Sequence, residues 1–156
     1  MNKKAIAVIA ATAIIISSSM VKAADAVGEW EFKSQWPERT SEAMMALAHE
    51  SGAPAFEMRL GSGLKNRHGG LYDAALYPDA PWHPSGGYVV DKALVHAFIR
   101  QESKFDAVAS NKSSGATGVM QLMPATAMSL ARKYGIRADK DRLKEPALNI
   151  RLGQKY

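Results

Sequence analysis

The chain has 156 residues, with 20 Lys+Arg against 15 Asp+Glu, 47% apolar residues and no cysteine. That length suits one ordinary domain and that apolar share is enough for a core, which excludes an intrinsically disordered chain. The lack of cysteine excludes disulfide scaffolds, thiol nucleophiles, thiolate metal sites and lipid attachment to an N-terminal cysteine.

Met1–Lys4 carries two lysines, and Ala5–Ile16 is a run of twelve residues that is apolar except for Thr12. Ser17–Ser19 then lead to Val21-Lys22-Ala23, a small-x-small exit, and Ala24-Asp25-Ala26 offers a second one. This order predicts a secretory signal peptide over residues 1–26, cleaved after Ala23 or Ala26. Twelve helical residues reach about 18 Å against a hydrocarbon core of about 30 Å, so the run is too short for a stable membrane anchor. Residues 27–90 hold 5 basic and 8 acidic side chains, whereas residues 91–156 hold 12 and 6. A basic second half suits an anionic partner. An exported chain has little occasion to meet nucleic acid, so cell-wall polymer or a membrane surface is the better candidate.

Residues 27–39 show no period and read as an irregular lead-in. From Thr40 the pattern is helical, with Met44, Leu47 and Ala48 on one face and Ser51-Gly52 as the stop. Pro54 suits the first turn of a second helix with Phe56, Met58 and Leu60, whose far end Gly61 and Gly63 should weaken. Leu71–Leu76 is a short apolar segment. Pro78, Pro81, Pro84, Gly86 and Gly87 then mark a linker or a rigid extended arm. Asp91 is a candidate N-cap for a helix from Lys92 to about Glu102. Residues 103–116 are rich in Ser, Asn, Lys and Gly, hence a loop. Pro124 opens a helix with Ala127, Leu130, Ala131 and Tyr134 on one side and Gly135 as its stop. Arg137–Lys144 is a charged connector, and Pro146–Tyr156 begins a further helix. No segment alternates with a two-residue period, so the fold class is all-α.

The four histidines, His49, His68, His83 and His96, do not suggest a metal site. His49-Glu50 begins like a zinc-protease helix, but Ala53 stands where the second histidine would fall. Gly61-Ser62-Gly63 meets Asn66 in place of the third glycine of a dinucleotide loop, and no Gly-x-Ser-x-Gly occurs. No cofactor is implied. Asn111-Lys112-Ser113 fits a glycosylation sequon. Glu102 stands out: with Val95 at zero on the helical wheel, Ile99 falls at about +40°, Glu102 at about −20° and Phe98 at about −60°. A carboxylate in an apolar stripe at a helix end is either desolvated or reaches outward. Desolvation would favour its protonated form, which a general acid needs near neutral pH.

Residues 88–156 resemble the first part of the catalytic domain of soluble lytic murein transglycosylases, the lysozyme-like family related to goose-type lysozyme. The resemblance rests on Ala93-Leu94-Val95 leading to Arg100-Gln101-Glu102-Ser103-Lys104-Phe105, on the run from Gly115 through Gly118-Val119-Met120-Gln121-Leu122-Met123-Pro124 to Ala127, and on the run from Pro146 through Asn149 to Tyr156. Leu71–Pro78 and Pro81-Trp82 resemble the join between that family's helical arm and its catalytic domain. The resemblance implies a lysozyme-like helical domain over 88–156 behind a short helical arm and Pro/Gly-rich linker over 27–87, in a periplasmic protein of the bacterial envelope. It implies that Glu102 is the single catalytic acid for the bond between N-acetylmuramic acid and N-acetylglucosamine, closing a 1,6-anhydro ring without water. Gln121 and Met123 would line the sugar subsites, Gly118 would allow close approach of the backbone, and Ser110 would match a serine near the acid.

In that family the helix beginning near Asn149 continues, and a later Ala-Tyr-Asn-Ala-Gly segment supplies a tyrosine and the far wall of the groove. The sequence to Tyr156 holds no such segment, so the resemblance is to an incomplete domain with exposed apolar faces open to self-association or a partner. Three readings follow: a lytic transglycosylase acting on peptidoglycan glycan strands, a non-catalytic wall-binding or interaction module, and a hydrolytic muramidase.

Overall fold

The computed structural model describes residues 38–68 and 73–156; the signal peptide expected over 1–26 and the lead-in expected over 27–39 lie outside the described residues, except for Glu38 and Arg39, which already belong to the first helix. Helix α1 (Glu38–Glu50) and helix α2 (Pro54–His68) form a hairpin. Gly52 makes the turn at φ +64, with its own N–H on His49 O and the Ala53 N–H on Ala48 O, both at 3.0 Å. These bonds satisfy carbonyls that the helix end would otherwise leave open. Met44 and Ala48 of α1 close on Leu60 of α2 in a small buried cluster. Helix α2 runs straight through Gly61 and Gly63. Gly61 is a contact point and not a weakness: a Cβ there would stand 2.7 Å from the Cβ of Ala75, in the short helix α3 (Asp73–Leu76). The chain gives up a favourable helix residue so that α3 can lie against α2.

Residues 77–84 run without helix or strand, and the chain then turns at Pro84–Gly87, where Gly87 N donates to Pro84 O at 2.8 Å. Pro78, Ala80 and Pro84 are buried along this stretch, and Tyr88 Oη donates to Trp82 O at 2.9 Å. Helix α4 (Lys92–Ser103) starts as expected: Asp91 Oδ1 accepts from Ala93 N at 2.8 Å and from Leu94 N at 3.2 Å. It ends in two consecutive left-handed residues, Lys104 (φ 52) and Phe105 (φ 65). The sharp turn drives the Phe105 ring into the core, 6.1 Å from the Trp82 ring and 5.9 Å from His96.

Helix α5 (Pro124–Lys133) follows, with Ala127 and Ala131 buried, then a 3-10 turn (Asp141–Lys144) and helix α6 (Pro146–Gly153). Gly135 (φ 61) is the stop, and Ile136 N bonds back to Ala131 O at 2.8 Å. Tyr134 is not on the buried side of α5: it lies past the last helical residue, exposed, with Lys133 and Lys155 near its ring. The main core, Met58, Ala80, Val95, Ile99, Phe105, Val119 and Ile150, joins α2, the 77–84 stretch, α4 and α6. A second core lies between α5, the 3-10 turn and α6. Strand pairing among the described residues is limited to two isolated bridges, both through Thr117, so the fold is all-α. No helix among the described residues is long and apolar enough to cross a membrane.

Candidate active site

Helix α4 forms one wall of a cleft of about 470 Å³, with Val90, Leu94, Phe98 and Glu102 along it. Met120, Gln121, Leu122 and Met123 form the facing wall, and Gly153, Gln154 and Tyr156 close one end. Glu102 stands at the last turn of α4 and is exposed. Of the two placements the wheel left open, the outward one is observed, because the stripe splits. Val95 and Ile99 turn into the core at 1% and 0% exposure, while Phe98 at 51% stays in the cleft beside Glu102. Glu102 is the only carboxylate among the described residues lining this cleft. Asp106 is turned into its own loop, where Oδ1 accepts from Val108 N at 3.0 Å.

The facing wall is a tight loop. Thr117 exchanges backbone hydrogen bonds with Leu122 at 3.0 and 3.1 Å, and Gln121 turns the corner with φ 44. The Gln121 amide is partly committed inward: Nε2 donates to Ala109 O at 3.1 Å and to Gly118 O at 2.9 Å. Gln121 lines the cleft, and its Oε1 is the side-chain acceptor that these two bonds leave unused. Met123 is 43% exposed on the rim.

The structure therefore brings Glu102, Gln121 and Met123 together and leaves the other two sequence candidates outside. Gly118 is buried at φ +81, and a Cβ there would collide with the Asn149 amide and Leu143 O. Its freedom serves the packing of α6 beneath the loop, not the approach of a ligand. Ser110 is exposed, pairs with Thr117 in an isolated bridge and does not line the cleft.

Asn149 is the residue that sequence reasoning passed over. It is 0% exposed, and its side chain accepts from Met120 N at 2.8 Å and donates to Thr117 O at 3.0 Å and Leu143 O at 2.9 Å. A buried amide with three partners holds the loop at a set height above α6. The available signal was an asparagine between Leu148 and Ile150 on an apolar helix. Gln154 makes a second tie: its Oε1 accepts from Val89 N at 2.8 Å, joining the end of α6 to the approach of α4. Among the described residues no three His, Asp or Glu side chains converge as a metal site. Leu94, Phe98, Met123 and Tyr156 are exposed apolar residues of this cleft.

A family model described as the transglycosylase SLT domain matches residues 83–156. Among solved structures the chain is similar to the 70 kDa soluble lytic transglycosylase SLT70 of Escherichia coli. The TM-score is 0.62 at 21% identity, covering 79% of this chain and 20% of that one. At that identity the likeness is one of fold. The chain spans about a fifth of the length of the structure it matches. The structural match is wider than the family-model match, so it takes in part of the helical region before residue 83.

Proposed function

We propose, from the match of residues 83–156 to the transglycosylase SLT domain model, that the cleft of this chain cleaves the β-1,4 bond between N-acetylmuramic acid and N-acetylglucosamine in peptidoglycan. The observation that carries this reading is one carboxylate, Glu102, facing Gln121 and Met123 across a cleft with no second acid among the described residues lining it. Glycosidases that hydrolyse with two carboxylates hold them about 5–9.5 Å apart, one as acid and the other as nucleophile or base. A cleft with one acid suits a reaction in which the substrate supplies its own nucleophile.

In that reaction the Glu102 carboxyl gives its proton to the glycosidic oxygen, and the bond to the anomeric carbon breaks with the electron pair on the leaving sugar. The resulting carboxylate then takes the proton of the muramoyl 6-hydroxyl as that oxygen bonds to the anomeric carbon. Glu102 ends protonated, the products are a free 4-hydroxyl and a 1,6-anhydro ring, and no water is consumed. Phe98, Leu122 and Met123 exclude water once a strand lies over them, which gives the acid the low-polarity surroundings it lacks in the free chain. With Nε2 taken up by Ala109 O and Gly118 O, Gln121 would meet a sugar amide or hydroxyl through its Oε1 acceptor.

Purified peptidoglycan incubated with the chain should release muropeptides with 1,6-anhydro ends, read by mass spectrometry. Glu102→Gln should lower the release about 10²–10⁴-fold, the worth of a positioned general acid, while retaining sedimentation with the polymer. Reducing-end products would make the chain a hydrolytic muramidase. Sedimentation with no product from either form would favour the wall-binding module, a reading that the exposure of Leu94, Phe98 and Met123 along the cleft supports. A signal peptide over 1–26 and a periplasmic setting accompany the proposal.

A further inference from the structure

Helix α4 has a second cleft on its other side. On the wheel used above, Lys92, His96 and Arg100 fall at about 60°, 100° and 140°, roughly opposite Leu94 and Phe98 at about −100° and −60°. Lys92, His96 and Arg100 line a cleft of about 430 Å³ whose far side is Tyr77, Pro78 and Asp79, with Phe105 at its base. The mechanism above uses none of these residues.

Three features of this cleft point to one ligand chemistry. Tyr77 is 65% exposed as a residue, and one face of its ring is covered: the Arg100 guanidinium lies 4.6 Å from its centroid, and Arg100 Nε donates to Leu76 O at 3.0 Å. A ring backed on one side by a fixed cation presents its remaining surface to a partner at little further entropic cost. The charged side chains are balanced, Lys92 and Arg100 against Asp79 and Asp91, and Lys92 Nζ sits 2.5 Å from Asp79 Oδ1. Burial, first, and the neighbouring Lys92 hold the His96 ring towards its neutral form. A cleft with no net charge does not select an anion, and one lined by four charged side chains, with the Lys92–Asp79 pair among them, does not select an apolar chain. An aromatic surface beside carboxylate and ammonium groups suits a neutral disc with an apolar face and a polar rim, which describes a pyranose.

We propose that this cleft is a second saccharide site, taking an N-acetylhexosamine unit against Tyr77 with its hydroxyls on Asp79, Asp91 and Lys92. The choice of peptidoglycan as the polymer rests on the proposed function, whereas the saccharide chemistry rests on this cleft. The two clefts are separated by one helix, about 10 Å across. A glycan strand held at Tyr77 therefore keeps the chain on the polymer while the other face meets a second stretch of strand.

The test is an amide NMR titration of the full chain with chitotetraose, a soluble N-acetylglucosamine oligomer. The expected result is two groups of shifting amides, one around Tyr77, Asp79 and Lys92 and the other around Gln121 and Leu122. Tyr77→Ala should weaken the first group about tenfold or more, and Tyr77→Phe should retain it, because an aromatic face and not the hydroxyl carries the contact. Unchanged amides elsewhere show that each variant is folded. Absence of shifts around Tyr77 overturns the proposal whatever the other group does, and the Gln121 group reports separately on the proposed function. Shifts around Tyr77 that survive Tyr77→Ala, or that a peptidoglycan stem peptide causes and chitotetraose does not, also overturn it.

Discussion

The helical hairpin α1–α2 and the region from α4 to α6 each bury a polar group, and they do so in opposite ways. In the hairpin, Glu57 is 9% exposed at its side chain and meets one partner, His49 Nδ1 at 3.4 Å. Burial raises its pKa, and the nearby His49 lowers it only in part. In the later region Asn149 is fully buried with three hydrogen bonds and no charge. A neutral amide can be satisfied completely by backbone groups, whereas a carboxylate with a single partner leaves part of its desolvation cost uncompensated. The difference follows placement. Asn149 supports the loop that carries Gln121, whereas Glu57 ties α2 to the exposed His49 at the end of α1.

The comparison breaks most visibly at Asn149. Asn149→Leu should orphan Met120 N and take the side-chain donor from Thr117 O, which keeps Leu122 N, and from Leu143 O, and urea unfolding should show a loss of about 3 kcal/mol. Gly118→Ala should act through the same network, because its methyl would displace the Asn149 amide, and it should lose at least about 1–3 kcal/mol for the positive φ alone. If either variant keeps wild-type stability, the loop is not held from below.

The pH response sharpens the same contrast. The Glu57 pKa is raised from 4.5, so its contribution to stability is full below 4.5 and is lost as pH rises through the raised value. The His96 pKa is lowered from 6.5, chiefly by burial, so its contribution is full above 6.5 and is lost as pH falls through the lowered value. The two therefore oppose each other between about pH 4.5 and 6.5. Thermal melts across that window should rise more steeply with pH in Glu57→Gln than in the parent, and less steeply in His96→Gln. Parallel curves for all three would remove the contrast. A smaller effect is expected at the end of α4: Lys104→Gly should stabilise the chain by about 0.5–1 kcal/mol by relieving a left-handed residue at φ 52, read by the same melts.

Local chemistry was legible in the sequence. Asp91 caps α4, Pro124 opens α5 and Gly135 stops it, because a cap or a stop depends on residues within one turn. Three of the candidate site residues, Glu102, Gln121 and Met123, line one cleft; Glu102 already stood out on the helical wheel, whereas Gln121 and Met123 came from the order of motifs. What sequence reasoning missed depends on partners far along the chain. Gly61 looks like a helix weakness until Ala75 lies against it, and the proline-rich stretch reads as either a linker or an arm until Ala80 and Pro84 are seen buried. The exposure of Glu102 follows from the end of α4 turning over at Lys104 and Phe105, a left-handed pair that no residue preference announces. The second cleft was invisible for the same reason, since Tyr77 and Arg100 are 23 positions apart and their stacking needs the chain between them to fold back.

The Asn149 amide also imposes an order in time. A ribosome makes the chain from its N-terminus, so Thr117 and the loop to Met123 emerge before the side chain that holds them, which follows 32 residues later. At about 5–20 residues per second that interval is about 2–6 s, long against the microseconds in which a hairpin of this size forms. During it the loop can close its own Thr117–Leu122 pair but has nothing beneath it. The cleft wall facing Glu102 is thus completed from the C-terminal side, and α4, although made first, waits for its opposite wall.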